Sequence, residues 1–424
     1  MRKKIEKVFL MASGNIFVQG GFYLTAGGLV TSFMNYLFTI LVARALGPTG
    51  FGEITTMFSY LVILSIPIGV ISMLLIQKIG NADDPTSYAF AIYDWFIRML
   101  KKWWFVLVLI ILTAPVVPKI TNLTVLAAYT LPLLMVFSLI GTFYNGALQG
   151  IHLFFWLTII GIISTAVKLA GAVLALWGIG GINTVLICIL ISGSVPILIT
   201  HFIFIKRVKS AVKKRYLITK GLLSVITDKQ LWLTTGATGI LALLNNVDII
   251  YVKKVFAPDE AGIYSSWALF AKIIFFFFGP LIATSFIFFS SKKHEVKHQI
   301  VFIGSFLLFV LVGLVTNLGY GAFGKEIVDI LFGGKFWSVI PYMEWASYFG
   351  TGYLMLAFMT YYFLAKKSRA SLLPAVLFPL YVIALLVYPK TIADVMFVDT
   401  VFVYVNVTAY LLIFFKDRFL FLIH

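Results

Sequence analysis

The chain has 424 residues, of which 61% are hydrophobic, 17% aromatic and 12% charged, with a mean hydropathy of +1.02 and a formal net charge of +17. An ordinary soluble domain carries about 25% charged residues, so a water-soluble globule of this composition is excluded. The apolar residues come in long continuous runs rather than alternating, which selects membrane-spanning helices over a β-barrel.

Taken in order, the runs predict an all-α polytopic membrane protein with about twelve transmembrane helices. They fall near 14–43, 53–77, 103–120, 123–149, 153–177, 181–205, 231–252, 262–290, 299–321, 341–365, 371–388 and 393–415. The basic stretch MRKKIEK precedes an apolar run too long for a secretory leader, so it reads as the start of a retained first helix. An even number of spans puts both termini on one side. The loop charges say which. Of 33 Lys and Arg, 24 fall on the terminal side of the membrane and seven on the other, while Lys168 and Lys272 lie inside spans. The positive-inside rule therefore places both termini in the cytoplasm, and the cell membrane is the expected location. The charge of +17 is thus a topogenic signal facing anionic lipid headgroups, not a nucleic-acid footprint. Its densest part is KRVKSAVKKRY, 206–216.

That basic stretch divides the chain into an N-lobe at 1–205, a cytoplasmic linker at 206–230 and a C-lobe at 231–424. The lobes repeat weakly. A shift of 210 residues puts Asn35 on Asn245, Arg44 on Lys254, Pro48 on Pro258 and Gly52 on Gly262. Six helices per half give both halves the same orientation, so the repeat is a parallel one, of the kind that builds two lobes around a cavity.

Much chemistry is absent. The longest loop, near 206–230, is too short for a catalytic domain, and there is no Walker A sequence. An enzyme is not expected, and neither is a cofactor. His294 and His298 have a spacing compatible with metal, but Lys292, Lys293 and Lys297 surround them and repel a cation. Asp83 and Asp84 precede Pro85 and read as a helix start. The single Cys188 excludes an intrachain disulfide.

Charges inside the spans are the informative residues, because one near the bilayer centre costs about 2.5–3.5 kcal/mol on insertion scales. Those singled out are basic twice and acidic once. Lys168 lies about 15 residues into the fifth helix, roughly 22 Å deep. It either snorkels or lines a cavity. Lys272 in the eighth helix either snorkels, pairs with Asp248 or lines the same cavity. Asp248 is a pairing partner or a proton or cation site. Arg44 closes the first helix as an interface anchor or a substrate contact. The amides Asn35, Asn145, Gln149, Asn245 and Asn246 either bond between helices or line a polar path. Gly27–Gly28, Pro67 and Pro280 mark places where helices bend.

Four stretches carry a resemblance. They are LVARALGPTGFGEITTMFSYL (41–61), NGALQGIHLFFWLTIIGIISTAVKLAGAVLALWGIGGI (145–182), LNNVDIIYVKKVFAPDEAGIYSSWALFAKI (244–273) and FGKEIVDILFGGKFWSVIPYMEWASYF (323–349), followed by AKKSR at 365–369. In this order they resemble the polysaccharide-biosynthesis flippases of the multidrug/oligosaccharidyl-lipid/polysaccharide exporter superfamily. The resemblance implies translocation of a polyprenyl-diphosphate-linked oligosaccharide from the inner to the outer leaflet by alternating access, beside polysaccharide polymerase machinery. It implies a diphosphate held by cationic residues, for which Lys168, Lys272 and Arg44 are candidates, with Asn35, Asn145 and Asn245 beside them and Asp248 coupling an ion. A cation-coupled drug exporter of the same superfamily is the alternative. Such exporters usually rely on carboxylates in the N-lobe spans, which here hold none beyond Glu53 at a helix end. A non-transporting scaffold for glycan assembly is the third reading.

Overall fold

The fold was analysed in a computed structural model, which describes residues 16–213, 216, 229–291 and 298–423, with side chains from residue 23 to residue 416. Among the described residues every regular element is helical. Lys292, Lys293, His294 and Lys297, the first basic cluster at residues 2–7, and most of the linker beyond Lys213 lie outside the described residues.

The first helix, α1 (Ile16–Gly80), has 65 residues. At 1.5 Å per residue it measures about 98 Å, three times the hydrocarbon thickness of a bilayer. It is two spans joined at a kink. Gly47 sits at φ 68°, a left-handed conformation that a side chain would oppose, and Pro48 follows it. The bends expected at Gly27–Gly28, Pro67 and Pro280 are not where the backbone breaks; helical geometry continues through all three, and the breaks fall at Gly47 and Phe323.

Next comes α2 (Pro85–Lys102), a helix where the hydropathy reading had only a loop. It was invisible as a span because it is amphipathic. Ala89, Ile92, Tyr93 and Phe96 share one buried face, while Asp94 and Arg98 pair across the exposed one at 3.1 Å. Its apolar face packs into the core of the first half, with the Phe96 ring stacked 3.7 Å from that of Phe143. Asp84 caps it, accepting hydrogen bonds from the Ser87 amide at 3.2 Å and the Ser87 hydroxyl at 2.7 Å. This is the helix start expected at Asp83–Asp84.

The expected third span, 103–120, is discontinuous: α3 (Trp104–Leu112) and α4 (Val117–Thr121) flank a turn containing Pro115. Proline lacks the amide that would continue the ladder. Three uninterrupted spans follow, α5 (Val125–Gly150), α6 (Phe154–Leu176) and α7 (Gly181–Ile203). Beyond α7 the basic segment continues as short helical turns to Ala211, with the Arg207 guanidinium 4.9 Å from the Trp156 ring centre.

In the second half, the expected span 231–252 breaks at its amides. The helix α8 (Lys229–Leu244) stops before Asn245, Asn246 leaves helical geometry at φ −141°, and α9 (Val247–Val255) resumes. Then come α10 (Pro258–Ser290), α11 (His298–Leu331), α12 (Met343–Ala365), α13 (Leu373–Val387) and α14 (Ile392–Ile423). Among the described residues nine stretches are long and apolar enough to cross a membrane by composition, the double-length α1 being one of them. The broken α3–α4 stretch and α12, which has Gly, Thr and Tyr spread along it, are not among them. The helix α12 is also buried at 18 of 23 positions. A helix that meets protein on all sides has no need of a lipid-facing surface.

The described residues form two compact units: Met1–Leu46 with Leu64–Thr227, and Gly47–Ile63 with Asp228–His424. In the first unit α6 packs on α7 through Gly171, whose small size admits Cys188. In the second, α12 is the centre, and Gly350 brings it against the Ala271 carbonyl of α10. The stretch 47–63, the first part of the second crossing, packs within this second unit.

Candidate functional site

Each unit holds one constellation of polar residues inside apolar helices. In the first unit, α1 supplies Asn35 and Phe38 and α6 supplies Lys168. The Lys168 ammonium donates to Asn35 Oδ1 and stands 4.7 Å from the centre of the buried Phe38 ring. The amide oxygen and the ring quadrupole offset part of the hydration the ammonium loses. Asn145 and Gln149 on α5 are half-buried. Arg44 is exposed near the end of the first crossing.

The second unit holds a denser cluster. The break at Asn245–Asn246 turns Asp248 inward at the start of α9. Tyr264 and Lys272 come from α10, Tyr381 from α13 and Asp399 from α14. Asp248 is 0% exposed and Asp399 1%. The Tyr264 hydroxyl sits between them, 2.8 Å from Asp248 Oδ2 and bonded to Asp399 Oδ2. Tyr381 donates to Asp399 Oδ1 at 2.7 Å. Asp248 Oδ1 is buried with no hydrogen-bond partner among the described residues. A buried carboxylate oxygen without a partner is costly, which makes the cluster the strongest candidate site in the second unit.

Lys272 belongs to this cluster. Its ammonium donates to the Asn245 carbonyl at 2.6 Å, not to Asp248, so the expected direct pairing with Asp248 is replaced by a backbone contact. The two intramembrane lysines are thus each tied to one of the repeat-equivalent asparagines, Lys168 to the Asn35 side chain and Lys272 to the Asn245 main chain. Asn245 Oδ1 itself has no partner among the described residues.

The sequence reading missed Asp399. It was there to find, as an acid within VMFVDTVFVYV, and it makes the singled-out intramembrane residues two basic and two acidic, with both acids and one lysine in the second unit. Tyr264 and Tyr381 carry no signal in a chain with 20 tyrosines.

A third polar feature lies at the repeat turns. Glu53 and Lys253 form a buried ion pair at 2.7 Å, with side chains 3% and 5% exposed. Thr49 donates to Asp259, and a Cβ on Gly262 would meet the Pro48 carbonyl oxygen at 2.0 Å. The two turns related by the 210-residue shift therefore pack directly on one another. His298 bonds the Phe288 carbonyl at 3.1 Å and Lys366 Nζ at 2.8 Å.

No protein-family profile matches the chain, and no curated protein matches it in sequence. Solved structures do. An inward-facing multidrug resistance MATE family transporter of the MOP superfamily matches with a TM-score of 0.68 at 12% identity, over 92% of this chain and 94% of that one. The eukaryotic MATE transporter AtDTX14 matches at 0.60 and 12% identity, over 95% and 96%. A MOP superfamily transporter from Pyrococcus furiosus, whose binding pocket of reverse polarity suggests a different function, matches at 0.58 and 12%, over 94% of each chain. At this identity the likeness concerns the fold, and the chain has the all-α, two-lobed membrane fold of these transporters.

Proposed function

We propose that this chain is a cation-coupled exporter of an amphipathic molecule, working by alternating access in the cell membrane. The carrying observation is the Asp248–Tyr264–Asp399 cluster: two fully buried carboxylates in membrane-spanning helices, bridged by one hydroxyl. Intramembrane carboxylates are expensive and serve ion pathways far more often than packing. That the fold is shared with multidrug resistance MATE transporters supports the same reading. It reverses the order of the sequence-level expectations, in which export of small molecules stood second.

The substrate bears an anionic group. Lys168, with Asn35 and the Phe38 face, offers a cation beside an aromatic ring inside the first unit. Such a site suits a phosphate or carboxylate joined to an apolar body. The reverse-polarity pocket described for the Pyrococcus furiosus transporter is a precedent for departing from the usual cargo within this fold. The polyprenyl-diphosphate glycan of the flippase reading is the extreme case of such an amphiphile, and Lys168 and the four matching stretches keep it as the second reading.

Reconstitution into liposomes tests both. One set receives a fluorescent anionic amphiphile, the other a labelled polyprenyl-diphosphate sugar, each with and without a proton or sodium gradient. Gradient-dependent movement of the small amphiphile supports the proposal. Movement of only the lipid-linked sugar transfers the conclusion to the flippase, and movement of neither refutes transport.

A further inference from the structure

Apart from its acidic cluster, the second unit has a cavity of about 370 Å³ where α12 and α14 begin and α13 ends. Four aromatic rings line it: Tyr342 and Trp345 around the start of α12, Tyr388 just past α13, and Phe397 on α14. The Phe397 ring lies 6.0 Å from that of Trp345 and 6.2 Å from that of Tyr388, centre to centre. Asp394, in the first turn of α14, is the one charged residue of the lining. Its Oδ2 takes the bonds from Lys390 and Thr391, and among the described residues Oδ1 takes none. Aromatic faces around an unshared carboxylate oxygen attract an ammonium group, through the ring quadrupoles and the charge together. An interfacial aromatic belt, the ordinary reason for Trp and Tyr at a helix end, does not call for rings gathered around a carboxylate.

The cavity continues into a second hollow. Trp345 and Phe397 also line a trough of about 590 Å³, which runs along α14 past Val401, Tyr404 and Val405 to Leu412. These positions recur every three or four residues, so they share one face of the helix, and each is more than one-third exposed. From Phe397 to Leu412 the helix rises about 22 Å, against roughly 15 Å of hydrocarbon in one leaflet. A head compartment with one charge thus opens into an apolar trough long enough for an acyl chain. A free amine would use the compartment alone, and a second copy of the chain the trough alone. A lipid uses both.

The charges at the mouth choose the headgroup. Lys390 is exposed, and its main-chain amide bonds Asp394 Oδ2. It is not paired with Asp394: among the described residues the ion pairs are Arg98–Asp94 and Lys253–Glu53. One carboxylate in the cavity and one cationic residue at its edge complement a zwitterion, whose ammonium enters between the rings and whose phosphate stays near Lys390. A purely anionic headgroup would bring its charge against Asp394.

We propose that this surface binds a zwitterionic phospholipid, with its ammonium between the rings and Asp394 and one acyl chain along α14 from Phe397 to Leu412. The loop charges put these helix ends on the outer side, so the lipid belongs to the outer leaflet. The site stands whichever cargo the chain moves.

Native mass spectrometry of the full chain, stripped of lipid in detergent, tests this. The probes are phosphatidylethanolamine, phosphatidylglycerol with the same acyl chains, and ethanolamine alone. The wild type should hold phosphatidylethanolamine at least about tenfold more tightly than phosphatidylglycerol, the scale of one hydrogen bond to a charged group, and should not retain ethanolamine. D394N keeps an oxygen for the Lys390 and Thr391 amides and should erase that preference. Because D394N can loosen the start of α14, a second variant acts elsewhere. A409F fills the trough, which Ala409 lines, leaves the Asp394 bonds in place, and should weaken phosphatidylethanolamine by a similar factor. Equal affinity of the wild type for the two lipids, an unchanged preference in D394N, or unchanged binding in A409F overturns the proposal. Retention of ethanolamine alone overturns it in favour of a soluble amine, and a dimer without lipid overturns it in favour of a second copy of the chain.

Discussion

Removing one partner of the Glu53–Lys253 pair puts a large and calculable load on the structure. The pair is 2.7 Å apart and both side chains are at least nineteen-twentieths buried, so solvent screening gives little relief. The variant E53Q keeps the shape and leaves the Lys253 ammonium buried without its carboxylate. Breaking a buried pair from one side costs about 3–5 kcal/mol, whereas replacing both charges with apolar groups is often neutral or stabilising. E53Q should therefore lower the unfolding free energy by about 3–5 kcal/mol, at least a hundredfold in the equilibrium constant. The double variant E53Q/K253M should recover most of that loss. Unfolding of the purified wild type, E53Q, K253M and the double variant by sodium dodecyl sulfate, followed by circular dichroism, measures the full cycle. The sum of the single losses should exceed the double by about 2 kcal/mol or more. If E53Q costs under about 1 kcal/mol, or the singles simply add, Lys253 is not desolvated and the pair does not fasten 47–63 to its unit.

Other expectations follow from the same coordinates. K168Q should abolish movement of the anionic amphiphile in liposomes while leaving the melting temperature within a few degrees, since Lys168 is only half-buried and its amide partner persists; normal transport by K168Q removes it from the substrate path. G262A should be poorly tolerated, because its Cβ would lie 2.0 Å from the Pro48 carbonyl oxygen. Overpacking costs about 1–3 kcal/mol where side chains yield, and more where backbone must, so G262A should express at lower yield than G279A, where a Cβ meets open space; equal thermal stability would contradict the packing. Asp394 accepts from the amides of Lys390 and Thr391, each at 2.9 Å, and from the Thr391 hydroxyl at 3.0 Å, capping the start of α14. Amide exchange at Lys390 and Thr391 should be faster in D394A than in the wild type; unchanged exchange would contradict the cap.

The fold could be read from the sequence to the extent that hydrophobicity sets it. Ten of the expected spans are helices that cross without losing their course, because long apolar runs have one stable form in lipid. The two that break, at Pro115 and at Asn245–Asn246, do so where a residue withdraws an amide or offers a competing side chain. Hydropathy averages over such residues. The helix α2 escaped for the opposite reason: its apolar face is only one side, and a span-length window dilutes it. The kink at Gly47 was half visible, since GPTG reads as a turn. At Pro67 and Pro280 helical geometry continues, so these prolines do not divide their helices as Gly47 does.

The site was visible one residue at a time and not as a site. Lys168, Asp248 and Lys272 stood out because charge inside apolar sequence is rare. Which charges meet is a property of tertiary contacts between α9, α10, α13 and α14, and no local pattern encodes it. Overlooking Asp399 therefore did more harm than a missed residue. With one intramembrane acid, Asp248 looked like a partner for Lys272, and the lysines looked like the functional groups. With two acids on one tyrosine, the balance inverts: Lys272 becomes the counter-charge of an acidic centre, and Lys168 remains the intramembrane cation of the other unit. Under the proposed function the two lysines, alike in the sequence, have different parts: Lys272 stands beside the acidic centre and Lys168 presents a cation to the cargo. That division makes a separable expectation: changing Lys272 should alter how transport depends on pH, and changing Lys168 should alter what is transported.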